Sequence, residues 1–252
     1  MKKTEIALEK FLKSWEEKDY CLAAMVFGSY AVGNSDKYSD IDVNIILSDS
    51  VKWRERGNKI IDGVLIEYFA NPVSWIKKYQ KDNYADGNRI TARMYGTGKI
   101  IFDKTGIAKK LQMESKKQLR KKFPKKDKAW IELKKYQMWD RLDELKVLKN
   151  SKCPSFNFVF QVSLLNILET YVQFLGSDIP PVSKLYRFIS DKNYRMNYQI
   201  DEFPDLNFVK LFNNCLKANS LQNFKKLTEY TLDKMGGFNI DGWCLRTYGL
   251  PQ

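Results

Sequence analysis

The chain has 252 residues, 44% hydrophobic and 14% aromatic, enough for one large domain or two small ones with packed cores. It contains no histidine, which excludes Ser-His-Asp and Cys-His triads, HExxH metalloproteases and histidine-held metals, so a catalytic metal would sit on oxygen ligands and be Mg²⁺ or Mn²⁺. The net charge of +13 attracts anions, and four scattered cysteines with no CxxC pair suggest neither a zinc site nor a disulfide framework but reduced thiols in a cytosol.

In chain order, residues 1–18 mix Lys and Glu with apolar residues at helical spacing and predict an amphipathic helix. The apolar run Ala23 to Phe27 ends in Gly28-Ser29, a strand followed by a turn. Asp40 to Leu47 alternates, with Asp40, Asp42 and Asn44 on one side and Ile41, Val43 and Ile45 on the other. That predicts a strand with one polar and one core face. The Asp62-Gly63 turn opens another strand over Val64 to Ala70, and Asn71-Pro72 closes it ahead of a helix from Val73. Lys99 to Phe102 reads as a short strand. Beyond Gly106 the chain turns helical: charged helices over 107–123 and 127–149 parted by Pro124, then a largely apolar helix over 156–175. Shorter helices follow over 182–190, 205–219 and 221–235. No run suggests a membrane span, because Asn157, Gln161, Asn166 and Glu169 interrupt the most apolar helix. With no targeting segment either, the expected location is the cytoplasm. The charge is uneven: Lys104 to Lys152 holds 17 Lys and Arg against 6 Asp and Glu.

The chemistry concentrates in residues 28–43. Gly28 lets the backbone approach a ligand closely, and Ser29 could offer its hydroxyl and neighbouring N–H groups to a phosphate. Asp40 and Asp42 lie two apart on a strand, about 6.5 Å along it, so both carboxylates share a face and can converge on hard divalent cations. Glu67, alone among apolar residues of the later strand, is costly there unless paired or metal-bound. If that strand lies beside 40–47, Glu67 faces the same metals.

Gly28-Ser29, the ten residues after it, Asp40-Ile41-Asp42 and the later Glu67 resemble the signature of the polymerase-β-type nucleotidyltransferase superfamily. Gly33 and Ser39-Asp40-Ile41-Asp42 are similar to its bacterial small-enzyme branch, which includes aminoglycoside and lincosamide nucleotidyltransferases and minimal nucleotidyltransferase proteins. The resemblance is specific over about residues 20–106. It implies an α+β (α/β) catalytic domain with a mixed sheet over residues 1–110, followed by an all-α helical-bundle domain over 111–252 that binds the acceptor. It implies Mg²⁺ or Mn²⁺ held by Asp40, Asp42 and Glu67, and an NTP contacted by Gly28, Ser29 and Ser39. Lys184 and Arg187 are candidates for triphosphate contacts, and Glu169 for the general base that deprotonates the acceptor. Tyr30 and Tyr38 could stack on a base. Asp140 and Asp143 read as surface ion-pair residues.

The implied activity is transfer of NMP, most simply AMP, to a hydroxyl of a small molecule such as an aminoglycoside- or lincosamide-like antibiotic, by a monomer or homodimer. The alternatives are a protein or RNA acceptor, supported by the basic 104–152 segment alone, and a binding protein with a retired site. Intact Asp40, Asp42 and Glu67 speak against the last.

Overall fold

The computed structural model describes residues 3–36 and 39–246. The elements in order are α1 (Lys3–Glu16), β1 (Cys21–Val26), α2 (Gly28–Ala31), β2 (Ile41–Leu47), β3 (Glu55–Ile61), β4 (Val64–Pro72), α3 (Val73–Ala85), α4 (Ile90–Thr97), β5 (Lys99–Asp103) and α5 (Ile107–Leu119). They continue with α6 (Lys128–Asn150), α7 (Phe156–Phe174), α8 (Leu185–Ser190), α9 (Lys192–Asn197), α10 (Leu206–Lys217) and α11 (Leu221–Lys234). Two compact units result: Met1–Lys121 with Lys192–Asp201, and Lys122–Asp191 with Glu202–Gln252. Among the described residues no helix is long and apolar enough to cross a membrane.

The first unit is built on a five-stranded mixed sheet in the order β3-β4-β2-β1-β5. β1 runs antiparallel to β2 and β5, β3 antiparallel to β4, and β2 parallel to β4. The turn between β3 and β4 places Asp62 at φ +52° and Gly63 at φ +75°, two consecutive left-handed residues of the kind that suits the right-handed twist of a two-residue hairpin. On one sheet face, Phe11, Leu12 and Trp15 of α1 pack against Ala24, Val26, Ile41, Val43, Ile45 and Ile66. On the other, Ala23, Met25, Phe27 and Ile46 pack against Ile76 of α3, Tyr95 of α4, and Ala108 and Leu111 of α5. The expected split of β2 into one core face and one polar face is therefore corrected. Helices cover both sides, so Asn44 and Ile46 are buried along with Val43 and Ile45, as in strands of sheets covered on both faces. Asn44 is tolerated there because the buried Tyr95 hydroxyl donates to its Oδ1 at 2.6 Å.

The sequence pattern does not predict β3, α4 or α9, and it reads the start of α2 as a turn. Segment 192–201 joins the first unit, where Arg93 donates to the carbonyls of Tyr198 at 2.9 Å and Gln199 at 2.6 Å. The helix expected over 107–123 stops at Leu119, leaving the like-charged Arg120, Lys121 and Lys122 ahead of Pro124 outside it.

The second unit is helical around one apolar core, with Phe160, Leu164, Leu168 and Tyr171 of α7 meeting Phe208 and Phe212 of α10 and Phe224 and Leu227 of α11. Asp127 caps α6, accepting from the Trp130 N–H at 2.7 Å. Asp205 caps α10 and also accepts from the hydroxyls of Tyr171 at 2.6 Å and Tyr230 at 2.9 Å. Burial alone would raise its carboxyl. The hydrogen bonds from Tyr171, the Phe208 N–H and Tyr230, with Lys234 nearby, outweigh that and hold it below the usual carboxylate value.

Candidate active site

The site forms where β1 turns back toward β2. Phe27 N–H donates to the Asp42 carbonyl at 2.8 Å, which brings the start of α2 against β2. Gly28 sits there at φ +62°, and a Cβ on it would lie 2.3 Å from Asp42 Oδ2. Both the left-handed backbone and the close approach of the carboxylate thus require glycine. Ser29 follows as the second residue of the four-residue α2, with its carbonyl accepting from the Asn34 N–H at 2.8 Å. Gly33, at φ +72°, lies in the turn that follows. The loop closes ahead of β2 with Ser39, whose Oγ accepts from the Asp36 N–H at 2.9 Å and donates to Asp36 Oδ1 at 3.1 Å. That local bonding sets up the chain for Asp40.

The parallel pairing of β2 and β4 puts Asp42 directly opposite Glu67. In a strand pair the side chains of opposed residues stand on one face. Asp40, one residue before β2, completes the group: one carboxylate oxygen from each of Asp40, Asp42 and Glu67 lies within 4.8 Å of the others. All three residues are half-buried. Three carboxylates this close repel unless a cation offsets them, and an all-oxygen set suits a hard divalent ion such as Mg²⁺ or Mn²⁺. The condition under which Glu67 faces the same ion as Asp40 and Asp42, its strand lying beside 40–47, is met by the observed register.

One charged neighbour of this group lay outside the sequence reading. Arg56 of β3 donates from Nη2 to Glu67 Oε1 at 2.6 Å and stacks its guanidinium over the Phe69 ring, 4.7 Å from the centroid. In the β3–β4 register Arg56 opposes Phe69 and Asn58 opposes Glu67, so all four share the face that carries Asp42. The signal that could have found it is the Asp62-Gly63 hairpin turn, which implies a strand before it as well as after.

Residues 8–95 match the family model described as a nucleotidyltransferase domain. Gly28, Ser29, Ser39, Asp40, Asp42 and Glu67 all fall inside the matched span of the nucleotidyltransferase domain, and so does Arg56. A search of curated proteins finds no match. Among solved structures, a nucleotidyltransferase-like protein from Exiguobacterium sibiricum aligns at 12% identity with a TM-score of 0.47, covering 92% of this chain and 74% of its own.

The remaining candidates sit on other elements. Tyr30 packs half-buried on the α1-side core, and Tyr38 lies outside the described residues. Glu169 and Lys184 belong to the second unit. Glu169 is half-buried on α7 and lines a cavity of about 420 Å³ with Lys134, Asp140, Arg141, Asn166 and Thr170. Lys184 is exposed in a 3₁₀ turn, beside a largely apolar groove lined by Phe158, Val162, Val182 and Leu216. Asp143 pairs with Lys146 at 3.2 Å, as a surface ion-pair residue would.

Proposed function

We propose that this protein is a metal-dependent nucleotidyltransferase that moves NMP, AMP in the simplest case, from an NTP to a hydroxyl of a small molecule. The observation that carries the reading is the convergence of Asp40, Asp42 and Glu67 within 4.8 Å beside Gly28, inside the matched domain. A divalent cation, Mg²⁺ or Mn²⁺, would be held by these three carboxylates and would supply charge neutralisation on the triphosphate. Gly28 lets the Asp42 carboxylate pack close against the turn, and Ser29 and Ser39 offer hydroxyls at the loop that would flank a phosphate. In the transfer, the acceptor oxygen forms a bond to the α-phosphorus. The bond from that phosphorus to the bridging oxygen breaks, and pyrophosphate leaves with the electron pair. The acceptor's proton passes to a carboxylate, for which Glu169 is the candidate, and Lys184 is a candidate for contact with the leaving phosphates.

The chemical work is assigned to the first unit and acceptor binding to the helical part, in a cytoplasmic protein that acts as a monomer or homodimer. The cavity around Glu169 sets Asp140 and Glu169 against Lys134 and Arg141 among neutral amides and hydroxyls. That balance suits a hydroxylated acceptor of low net charge, of lincosamide-like chemistry, better than a polycationic aminoglycoside. The basic run over 104–152 favours one second reading, a nucleic acid or protein acceptor, whose binding would weaken steeply with salt.

The test is thermal stability with ATP, GTP, CTP and UTP, each with and without Mg²⁺, on the wild type and on Asp40→Asn/Asp42→Asn. The expected result is a metal-dependent rise with one nucleotide that the double variant lacks, with pyrophosphate release once an acceptor is supplied. No rise with any nucleotide in the wild type would sink the reading.

A further inference from the structure

Within the reading of Asp40, Asp42 and Glu67 as a metal site, on which this inference rests, we infer that Arg56 is a nucleotide-binding residue that changes partners. It pairs with Glu67 and passes to the triphosphate when metal and nucleotide enter.

Three observations carry this. First, Arg56 Nη2 lies 2.6 Å from Glu67 Oε1, so the guanidinium already holds one oxygen of a carboxylate that belongs to the candidate metal group. A monovalent and a divalent cation on one carboxylate repel each other, so metal entry weakens the ion pair. Second, that pair is easily released. The Arg56 side chain is 70% exposed, against 22% for Glu67, and exposed ion pairs are weak. Third, the released guanidinium has a seat of its own. It stacks over Phe69, in the row that also carries Asn58, Glu67 and Asp42, and its backbone is pinned by the β3–β4 hairpin. It would stay beside the metals, where the incoming group is a polyanion whose oxygens match the two-pronged donor geometry of arginine.

The experiment is Mn²⁺ binding to the full chain, followed by the electron paramagnetic resonance signal of free Mn²⁺, alone and with a non-hydrolysable α,β-methylene analogue of the accepted NTP. The proteins are the wild type, Arg56→Gln, Arg56→Lys and Asp42→Asn. Removing the competitor should tighten Mn²⁺ alone about fivefold in Arg56→Gln. The same variant should bind the Mn²⁺-loaded analogue about tenfold more weakly. Arg56→Lys, which keeps the charge but loses the fork, should fall between wild type and Arg56→Gln for the analogue. Unchanged or weaker Mn²⁺ binding in Arg56→Gln overturns the inference, and so does tighter Mn²⁺ binding with unaltered analogue affinity. If the wild type binds no Mn²⁺, or binds it as Asp42→Asn does, the metal site itself fails and this inference with it. That pattern is distinct from a failure of Arg56 alone.

Discussion

The two units handle polar groups in opposite ways. In the first, three carboxylates are gathered within 4.8 Å of one another, and one of them also meets an arginine at 2.6 Å. In the second, Asp205 is answered on both oxygens by two tyrosine hydroxyls and a backbone N–H, and it fastens α10 to α7 and α11. A carboxylate fully served by fixed donors stabilises a fold, whereas one crowded by its own kind is destabilising until a ligand arrives.

Substitutions in each unit put that contrast to the test. Asp42→Asn should lower nucleotidyl transfer about a thousandfold, from loss of several kcal/mol of charge stabilisation, while leaving the melting temperature within a few degrees. Steady-state kinetics beside a thermal melt checks both halves. Phe208→Ala, in the middle of the second core, should remove about 3–5 kcal/mol of stability, seen as a lower urea midpoint. Asp205→Asn should be milder, about 1–3 kcal/mol, with a pH signature. The folded carboxyl lies below its ordinary value of 3.8, so its contribution is complete above that value and is lost as pH falls through the folded one. The wild type should therefore lose its advantage over the variant only in acid, as urea titrations at several pH values would record. The smallest effect concerns the thiols. Burial raises Cys21 to about 11 and Cys215 to about 12, whereas a hydrogen bond with Ser155 lowers Cys153, and Cys244 is exposed. A thiol reagent at neutral pH should label Cys153 and Cys244 in the folded protein and all four cysteines in urea.

The acids were legible because Asp40-Ile41-Asp42 sits in a strongly alternating run and Glu67 interrupts an apolar one. The helices α6, α7, α10 and α11 were legible for the same reason, with periodic apolar residues and the capping Asp127 and Asp205. Strand β3 was not, because Glu-Arg-Gly-Asn-Lys carries no alternation; it is an edge strand, mostly exposed, held by its pairing with β4. Helix α4 was hidden by Thr91, Gly96 and Thr97, poor helix formers. It is supported by packing, with Tyr95 set edge-on against Phe27 at 4.9 Å and bonded to Asn44. The return of 192–201 to the first unit depends on a contact with Arg93 about a hundred residues away in sequence, which no local pattern encodes.

The parallel alignment of Asp42 with Glu67 has one more consequence. Side chains alternate along a strand, so a slip of β2 against β4 by a single residue would send one of these acids to the opposite side of the sheet. A cation that needs both would bind only chains whose strands have closed in the correct alignment. It would act as an inspector of folding, stabilising the properly zipped sheet and giving nothing to its misaligned rivals.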